Sequence, residues 1–182
     1  MNIKQERREQ ALMYLAERTG KLEYRFIRYA AVADELYAMG LTDQHIICDV
    51  GAGMGDFDFY MRTVRGYKGR YVPVDAAIDG TDLVGWEPPV TFDFITAIEV
   101  LEHLHKEAAQ SLLVRMLVRM RYGLVITTPN TDVLGYQTVV HMDRTHVNPI
   151  YQQDLFRMGA VVKEQSFFGQ PNDSLLATWR AQ

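Results

Sequence analysis

Glu99, Glu102 and His103 fall within five consecutive positions of "AIEVLEHLHKE" (97–107), directly after an apolar run. Their i, i+3, i+4 spacing puts them on one face of a single helical turn. Two carboxylates and an imidazole there can hold a divalent cation such as Mg²⁺ or Mn²⁺, with water and substrate oxygens completing the shell. A further ligand must come from elsewhere, and "VVHMDRTHVNP" (139–149) supplies His141 and His146. Two plainer roles compete with the metal. One is a metal-free pocket in which His103 or His146 serves as general base. The other is a solvated helix start, where acidic residues need no further function.

A second cluster lies upstream. "DVGAGMGD" (49–56) sets Asp49 before Gly51, Gly53 and Gly55. Glycines at alternate positions let the chain turn tightly and approach a ligand closely at the start of the next helix. The dinucleotide fingerprint G-x-G-x-x-G fails because Asp56 stands where its third glycine belongs, and no Lys-Ser/Thr follows to make a phosphate loop.

The surrounding pattern predicts the elements that carry these residues. Apolar runs at 45–50, 70–75, 92–98 and 123–128 read as strands, with helices at 55–65 and 104–121 between them. This alternation implies a parallel sheet with helices on both faces. Two helices over 3–18 and 22–39, closed at Thr19-Gly20 and Gly40, precede it. A helix over 148–159 is expected from Asn148 as N-cap, Pro149 in the first turn and Gly159 as stop. "AVVKEQSFF" and "SLLATWRA" then predict an antiparallel hairpin. A chain of 182 residues suffices for one domain, here a helical cap (1–43) on an α/β core (44–182). The single Cys48 excludes an internal disulfide and suits a reducing, cytoplasmic setting. The charged N-terminus shows no signal peptide, and arginines interrupt the best candidate for a membrane span. A net charge of −4 argues against a grip on long nucleic acid.

The glycine loop resembles motif I of the class I S-adenosylmethionine-dependent methyltransferases, and the resemblance continues in order. "YVPVD" ends in Asp75, matching the acidic residue that binds the ribose hydroxyls. "FDFITAIEVLEHL" and "GLVITTPN" are similar to the family's fourth and fifth strands, and the hairpin to its sixth and seventh. The resemblance implies a Rossmann-like fold and S-adenosylmethionine as cofactor. Asp49, Gly51, Gly53, Gly55, Asp75 and Glu99 would then line its pocket, with Asp82 near the adenine. The Glu-x-x-Glu-His pattern with a distant histidine further resembles RNA 3′-end 2′-O-methyltransferases and ubiquinone-pathway O-methyltransferases. That likeness implies Glu99, Glu102, His103 and His146 as metal ligands, His146 being preferred over His141 because it directly precedes the next helix. The aromatic and acidic residues that follow this histidine in the RNA enzymes are absent from "HVNPIYQQD".

Only sixteen residues separate Asp75 from Phe92, too few for the family's helix, third strand and loop. Proline within the second strand fits an edge position. The third strand is therefore expected to be short or missing, leaving Pro73 in a strand paired on one side. No Asp/Asn-Pro-Pro-Tyr/Phe motif follows the fourth strand, and Cys48 lies within the first, so amino-directed DNA and carbon-5 cytosine methylation are disfavoured. Oxygen methylation of a small molecule or a terminal hydroxyl is expected. A tight loop bearing Tyr136, His141, Arg144 and His146 would face the acceptor, under a lid of Tyr24, Arg25, Arg28 and Tyr29. Trp86 and Trp179 read as packing residues. A nicotinamide-dependent oxidoreductase and a non-catalytic binding module on the same fold are the rivals. The oligomeric state is not legible.

Overall fold

The computed structural model describes residues 22–181. The helix expected over 3–18 lies outside them, as does the side chain of Tyr24. Helix α1 (Leu22–Ala38) leads to strand β1 (Ile46–Val50), helix α2 (Asp56–Thr63), strand β2 (Arg70–Val74), and a single turn, α3 (Ala76–Asp79). Strand β3 (Phe92–Ile98), a 3₁₀ turn (Leu101–His103), helix α4 (Lys106–Arg119) and strand β4 (Met120–Pro129) follow. Short helices α5 (Thr131–Leu134), α6 (Tyr136–Met142) and α7 (Gln152–Arg157) precede the hairpin β5 (Val161–Gln165) and β6 (Ser174–Arg180).

The six strands form one sheet in the order β2-β1-β3-β4-β6-β5, parallel from β2 to β4 and antiparallel in the hairpin. This is the expected Rossmann-like sheet. β2 pairs with β1 alone among the described residues, so Pro73, opposite Asp49, sits on an edge and no third strand covers it. In its place the chain after α3 turns back over the core. Leu83 and Trp86 pack there, while Arg115 donates to the carbonyls of Leu83 (3.1 Å) and Val84 (3.0 Å).

Strand alternation divides the interior into two cores. Ile47, Phe94 and Val125 face α1 and α2, where Val32, Leu36, Phe57 and Met61 meet them. Cys48, Val50, Ile95, Ala97 and Leu124 face α4 and α7, against Leu112, Met116 and Leu155. Phe92 and Ile95, three residues apart, share this second side because the β3–β4 register shifts between Phe92 and Phe94. Trp179 also belongs to this core, as a packing residue should.

Two expectations need correction. α7 starts at Gln152, not at Pro149, because Asn148 is spent elsewhere: its side-chain amide donates to the Leu101 carbonyl at 3.1 Å and its backbone N–H to the Glu102 carbonyl at 3.1 Å. Asp132 accepts from the Gln152 N–H instead (2.9 Å). The segment after β4 is two short helices rather than a tight loop. Asn130 caps α5 through Asp132 N–H (3.1 Å), and Gly135 at φ 79° lets the chain break and start α6.

Candidate active site

The carboxyl ends of β1 and β3 open into a cleft of ≈ 400 Å³, lined by the glycine loop on one side and by α1 on the other. Open α/β sheets place ligands at this edge. Gly51, Gly53 and Gly55 all take left-handed backbone (φ 73°, 58° and 82°). A Cβ at Gly51 would also stand 2.4 Å from Val100 Cγ2, so that position needs glycine twice over. The loop is tied to β2: Gly51 N–H donates to the Val74 carbonyl (2.8 Å) and Gly53 N–H to Asp75 Oδ2 (2.9 Å). The other oxygen of Asp75 caps α3 through Ala77 N–H (2.8 Å). Each carboxylate oxygen has two acceptor sites, so Asp75 keeps capacity for a ligand hydroxyl. Asp82 accepts from Val84 N–H (3.0 Å), and neither it nor Asp75 nor Gly55 is among the residues that line the cleft.

Asp49 is 2 % exposed and accepts from Thr96 Oγ1 (2.7 Å) and the Tyr71 hydroxyl (2.6 Å). Burial pushes its carboxyl up to about 6 even against those two bonds, which act to lower it. A cationic ligand group in the cleft would meet a carboxylate whose ionisation it favours.

The Glu-x-x-Glu-His segment departs from a single helical turn. Glu99 stands just after β3 at φ 55°, and only Leu101–His103 coil, as a 3₁₀ turn. Glu99 Oε1 accepts from Thr127 Oγ1 (2.8 Å) and lies 3.7 Å from Arg28 Nε. Glu102, His103 and His146 do converge, with ligand atoms all within 4.8 Å of one another; Glu99 stands outside that set. The peptide carbonyl of Glu102 accepts from Val147 (2.9 Å) and Asn148 (3.1 Å), and so delivers the adjacent His146 to the site. Glu102 itself is fully buried. Its Oε2 accepts from Thr128 Oγ1 (3.3 Å), whereas its Oε1 has no partner among the described residues. Burial first, then the Glu99 charge, hold this carboxyl well above the usual carboxylate range.

Hydrogen bonding fixes both imidazole tautomers. The Val139 carbonyl can only accept, so His146 Nδ1, 2.8 Å away, carries its proton. Thr145 Oγ1 donates to Asp143 Oδ1 (2.7 Å) and therefore accepts from His103 Nδ1 (2.7 Å). Each ring is left with a lone pair on Nε2, the arrangement by which outer partners orient metal-binding or proton-accepting histidines. Burial and the neighbouring His146 lower the His103 pKa, so the ring is neutral at pH 7. His141 bonds to the Gln137 carbonyl (2.5 Å) and faces a separate shallow depression. Tyr136 and Arg144 are exposed and line no part of the cleft, whereas Arg25, Arg28 and Tyr29 of α1 do.

The sequence reasoning missed Thr127, Thr128, Asp143 and Thr145. The first two carried a signal: paired hydroxyls at the carboxyl end of a core strand. The second two form Asp-x-Thr, where Asp143 Oδ1 also accepts from Thr145 N–H at 2.8 Å.

No family model and no curated protein matches the chain. Solved structures that share its architecture include the plantazolicin methyltransferase BpumL in complex with S-adenosylhomocysteine (SAH). It is 12 % identical over 94 % of this chain and 89 % of that one, with a TM-score of 0.65. Another is the Burkholderia thailandensis 1,6-didemethyltoxoflavin-N1-methyltransferase with its substrate and SAH, 16 % identical over 92 % and 83 %, TM-score 0.62. A small RNA methyltransferase is 13 % identical over 84 % of this chain and 25 % of its own, TM-score 0.58. At these identities the likeness shows a shared fold, that of S-adenosylmethionine-dependent methyltransferases whose names state different substrates.

Proposed function

We propose that the protein is an S-adenosylmethionine-dependent methyltransferase that methylates an oxygen of a small molecule or a terminal hydroxyl. Residues 44–182 would form its catalytic core and residues 1–43 its helical cap. The observation that carries this reading is the glycine loop, which Asp75 pins and which lines the cleft from Gly51 to Met54. The remaining acceptor sites of Asp75 suit a ligand that carries a ribose diol, and the left-handed glycines let the loop backbone come close to one. Methyl transfer from a sulfonium is an in-line displacement at an activated carbon, so the protein's task is alignment of the acceptor and removal of its proton. His103, neutral at pH 7 with Nε2 unprotonated, is suited to take that proton, with His146 beside it at a ring separation of 4.7 Å. Cys48 is fully buried in β1 and its thiol pushed up by burial, so a cysteine-first attack has no nucleophile there.

As an alternative to His103 acting as base, since a coordinated Nε2 can take no proton, Glu102, His103 and His146 fit a divalent cation. The orphaned Oε1 and the two Nε2 lone pairs are what such an ion would satisfy, and the two imidazoles favour Mn²⁺ over Mg²⁺. Bound there, the ion would supply positive charge that acidifies an acceptor hydroxyl.

Titration calorimetry with SAH, with NAD as control, tests the cofactor. Micromolar SAH binding without NAD binding is expected; the reverse preference would make the chain an oxidoreductase candidate. Manganese titration followed by electron paramagnetic resonance tests the ion. His146→Ala should weaken Mn²⁺ binding at least tenfold and leave SAH affinity within about twofold. Wild-type protein that leaves Mn²⁺ free in solution would remove the metal from the proposal.

A further inference from the structure

A second cavity, of ≈ 310 Å³, lies between α4 and the segment 148–158 that contains α7, and it shares no lining residue with the cleft at the glycine loop. That volume is within the range of small-ligand sites. Its floor is apolar, with Leu101, Leu113 and Leu155 each 2 % exposed. Two cations line the same space. Lys106 makes no ion pair among the described residues, and Arg157 meets Asp154 only at 3.9 Å. Asp154 lines the cavity as well, so two cations against one carboxylate leave it net positive. Lys106 opens α4, whose first turn has no side-chain cap, and the helix dipole adds to its charge.

Asn148 gives the cavity its third feature. It is 7 % exposed, and the Leu101 carbonyl it touches can only accept, so the amide nitrogen faces that carbonyl at 3.1 Å. Its Oδ1 then faces away and takes no hydrogen bond from a described residue. A mostly buried acceptor without a protein donor suits a ligand hydroxyl.

We propose that this cavity is a second ligand site, which takes a compact aromatic carboxylate bearing a phenolic hydroxyl. The ring lies on the leucine floor beside Met158, whose sulfur favours aromatic contact. The carboxylate meets Lys106 and Arg157, and the hydroxyl donates to Asn148 Oδ1. The site does not depend on what the glycine-loop cleft holds. The two are joined by one strut, because the backbone N–H of Asn148 also holds the Glu102 carbonyl. A phenolic acid carries an acceptor hydroxyl for the cleft too, and the positions of its contacts separate the two sites.

The probe is 3-(4-hydroxyphenyl)propionate, titrated into the full chain and followed by amide NMR. A dissociation constant on the order of 1 mM is expected for a molecule this small. Shifts should gather at residues 101–113 and 148–158 and spare Gly51, Gly53 and Gly55. Its methyl ester lacks the charge, 3-phenylpropionate lacks the hydroxyl, and tyramine reverses the charge; each should bind roughly threefold or more weakly. Lys106→Gln combined with Arg157→Gln should weaken the acid about fivefold and leave the ester within about twofold. Gln110→Trp, which sets a bulky ring at an exposed position of the wall, should abolish the shifts at 148–158 without altering the rest of the spectrum. Shifts centred on the glycine loop place the acid in the cleft and overturn the proposal. So does equal binding of the acid, ester and amine, or undiminished binding to Gln110→Trp. No shift at about 10 mM acid, tenfold above the expected constant, overturns it as well.

Discussion

Asp49 couples folding stability to pH through one buried carboxyl. Its folded-state value of about 6 lies above the usual carboxylate value near 4, because burial penalises the charged form. Folding therefore favours the protonated acid. The stabilisation is complete below pH 4 and is lost as pH rises through 6, by about 3 kcal/mol at ~1.4 kcal/mol per unit. Asp49→Asn removes this titration. Urea melts of the two proteins should show the variant gaining about 2–3 kcal/mol relative to wild type between pH 4 and pH 7.5. A difference that stays flat across that range would mean the carboxyl ionises as freely folded as unfolded. Glu102 has the same sign for a related reason, burial reinforced by Glu99, and belongs to the same acidic-side stability. The spacing of Glu99, Glu102 and His103 was legible from the residues, but the φ of 55° that turns Glu99 out of the helical face was not. There Glu99 N–H still bonds to the Thr127 carbonyl (3.0 Å) across the sheet, a partner 28 positions away, so the break from the strand falls at Glu99 itself. The burial of Arg28, whose Nε has no hydrogen-bond partner among the described residues, was equally invisible, since it exists only once α1 has packed over the cleft.

Among the elements, the glycine loop makes a graded prediction. Gly53 is left-handed, and a methyl group added there would meet nothing within 4 Å, so Gly53→Ala costs only the backbone strain, ~1–2 kcal/mol. Gly51→Ala adds the collision with Val100 and should cost more than that by denaturant unfolding. Val100→Ala in the same chain should recover the collision and leave the strain. Equal costs at the two glycines would mean the Val100 side of the loop yields freely. The loop was legible because alternate glycines after an apolar strand have few other uses. The start of α7 was misread for the opposite reason. Asn148-Pro149 is a sound helix opening by local rules, yet tertiary contacts with Leu101 and Glu102 claim the asparagine first.

On the scale of the molecule, the missing third strand leaves β2 as a sheet edge among the described residues, and edges invite pairing with other chains. Val74 turns its carbonyl toward the loop after β1. In a parallel ladder successive residues alternate between the two sides, so Pro73 points its missing donor outward. Pro73→Val restores an outward N–H, and light scattering after gel filtration should show increased self-association at high concentration. A variant that stays as dispersed as wild type would show that side chains, not the proline, guard the edge. This part of the architecture was legible beforehand because a chain length and a proline are both hard constraints. A gap of sixteen residues cannot hold a helix and a strand, and no packing can give proline a donor. What filled the gap was not legible: Arg115 reaches from α4 to hold the Leu83 and Val84 carbonyls, a contact set by three-dimensional proximity over more than thirty residues.

The backbone carbonyl of Glu102, rather than its carboxylate, holds the chain at Val147 and Asn148. Scaffold and chemistry at this residue therefore come apart under mutation. Glu102→Gln keeps the peptide bond that seats His146 while removing the carboxylate, so the cleft stays assembled while the proposed ion loses a ligand. On the proposed methyltransferase reading such a variant is a bait: incubated with S-adenosylmethionine and a cell extract, it should retain the acceptor long enough for mass spectrometry to identify it.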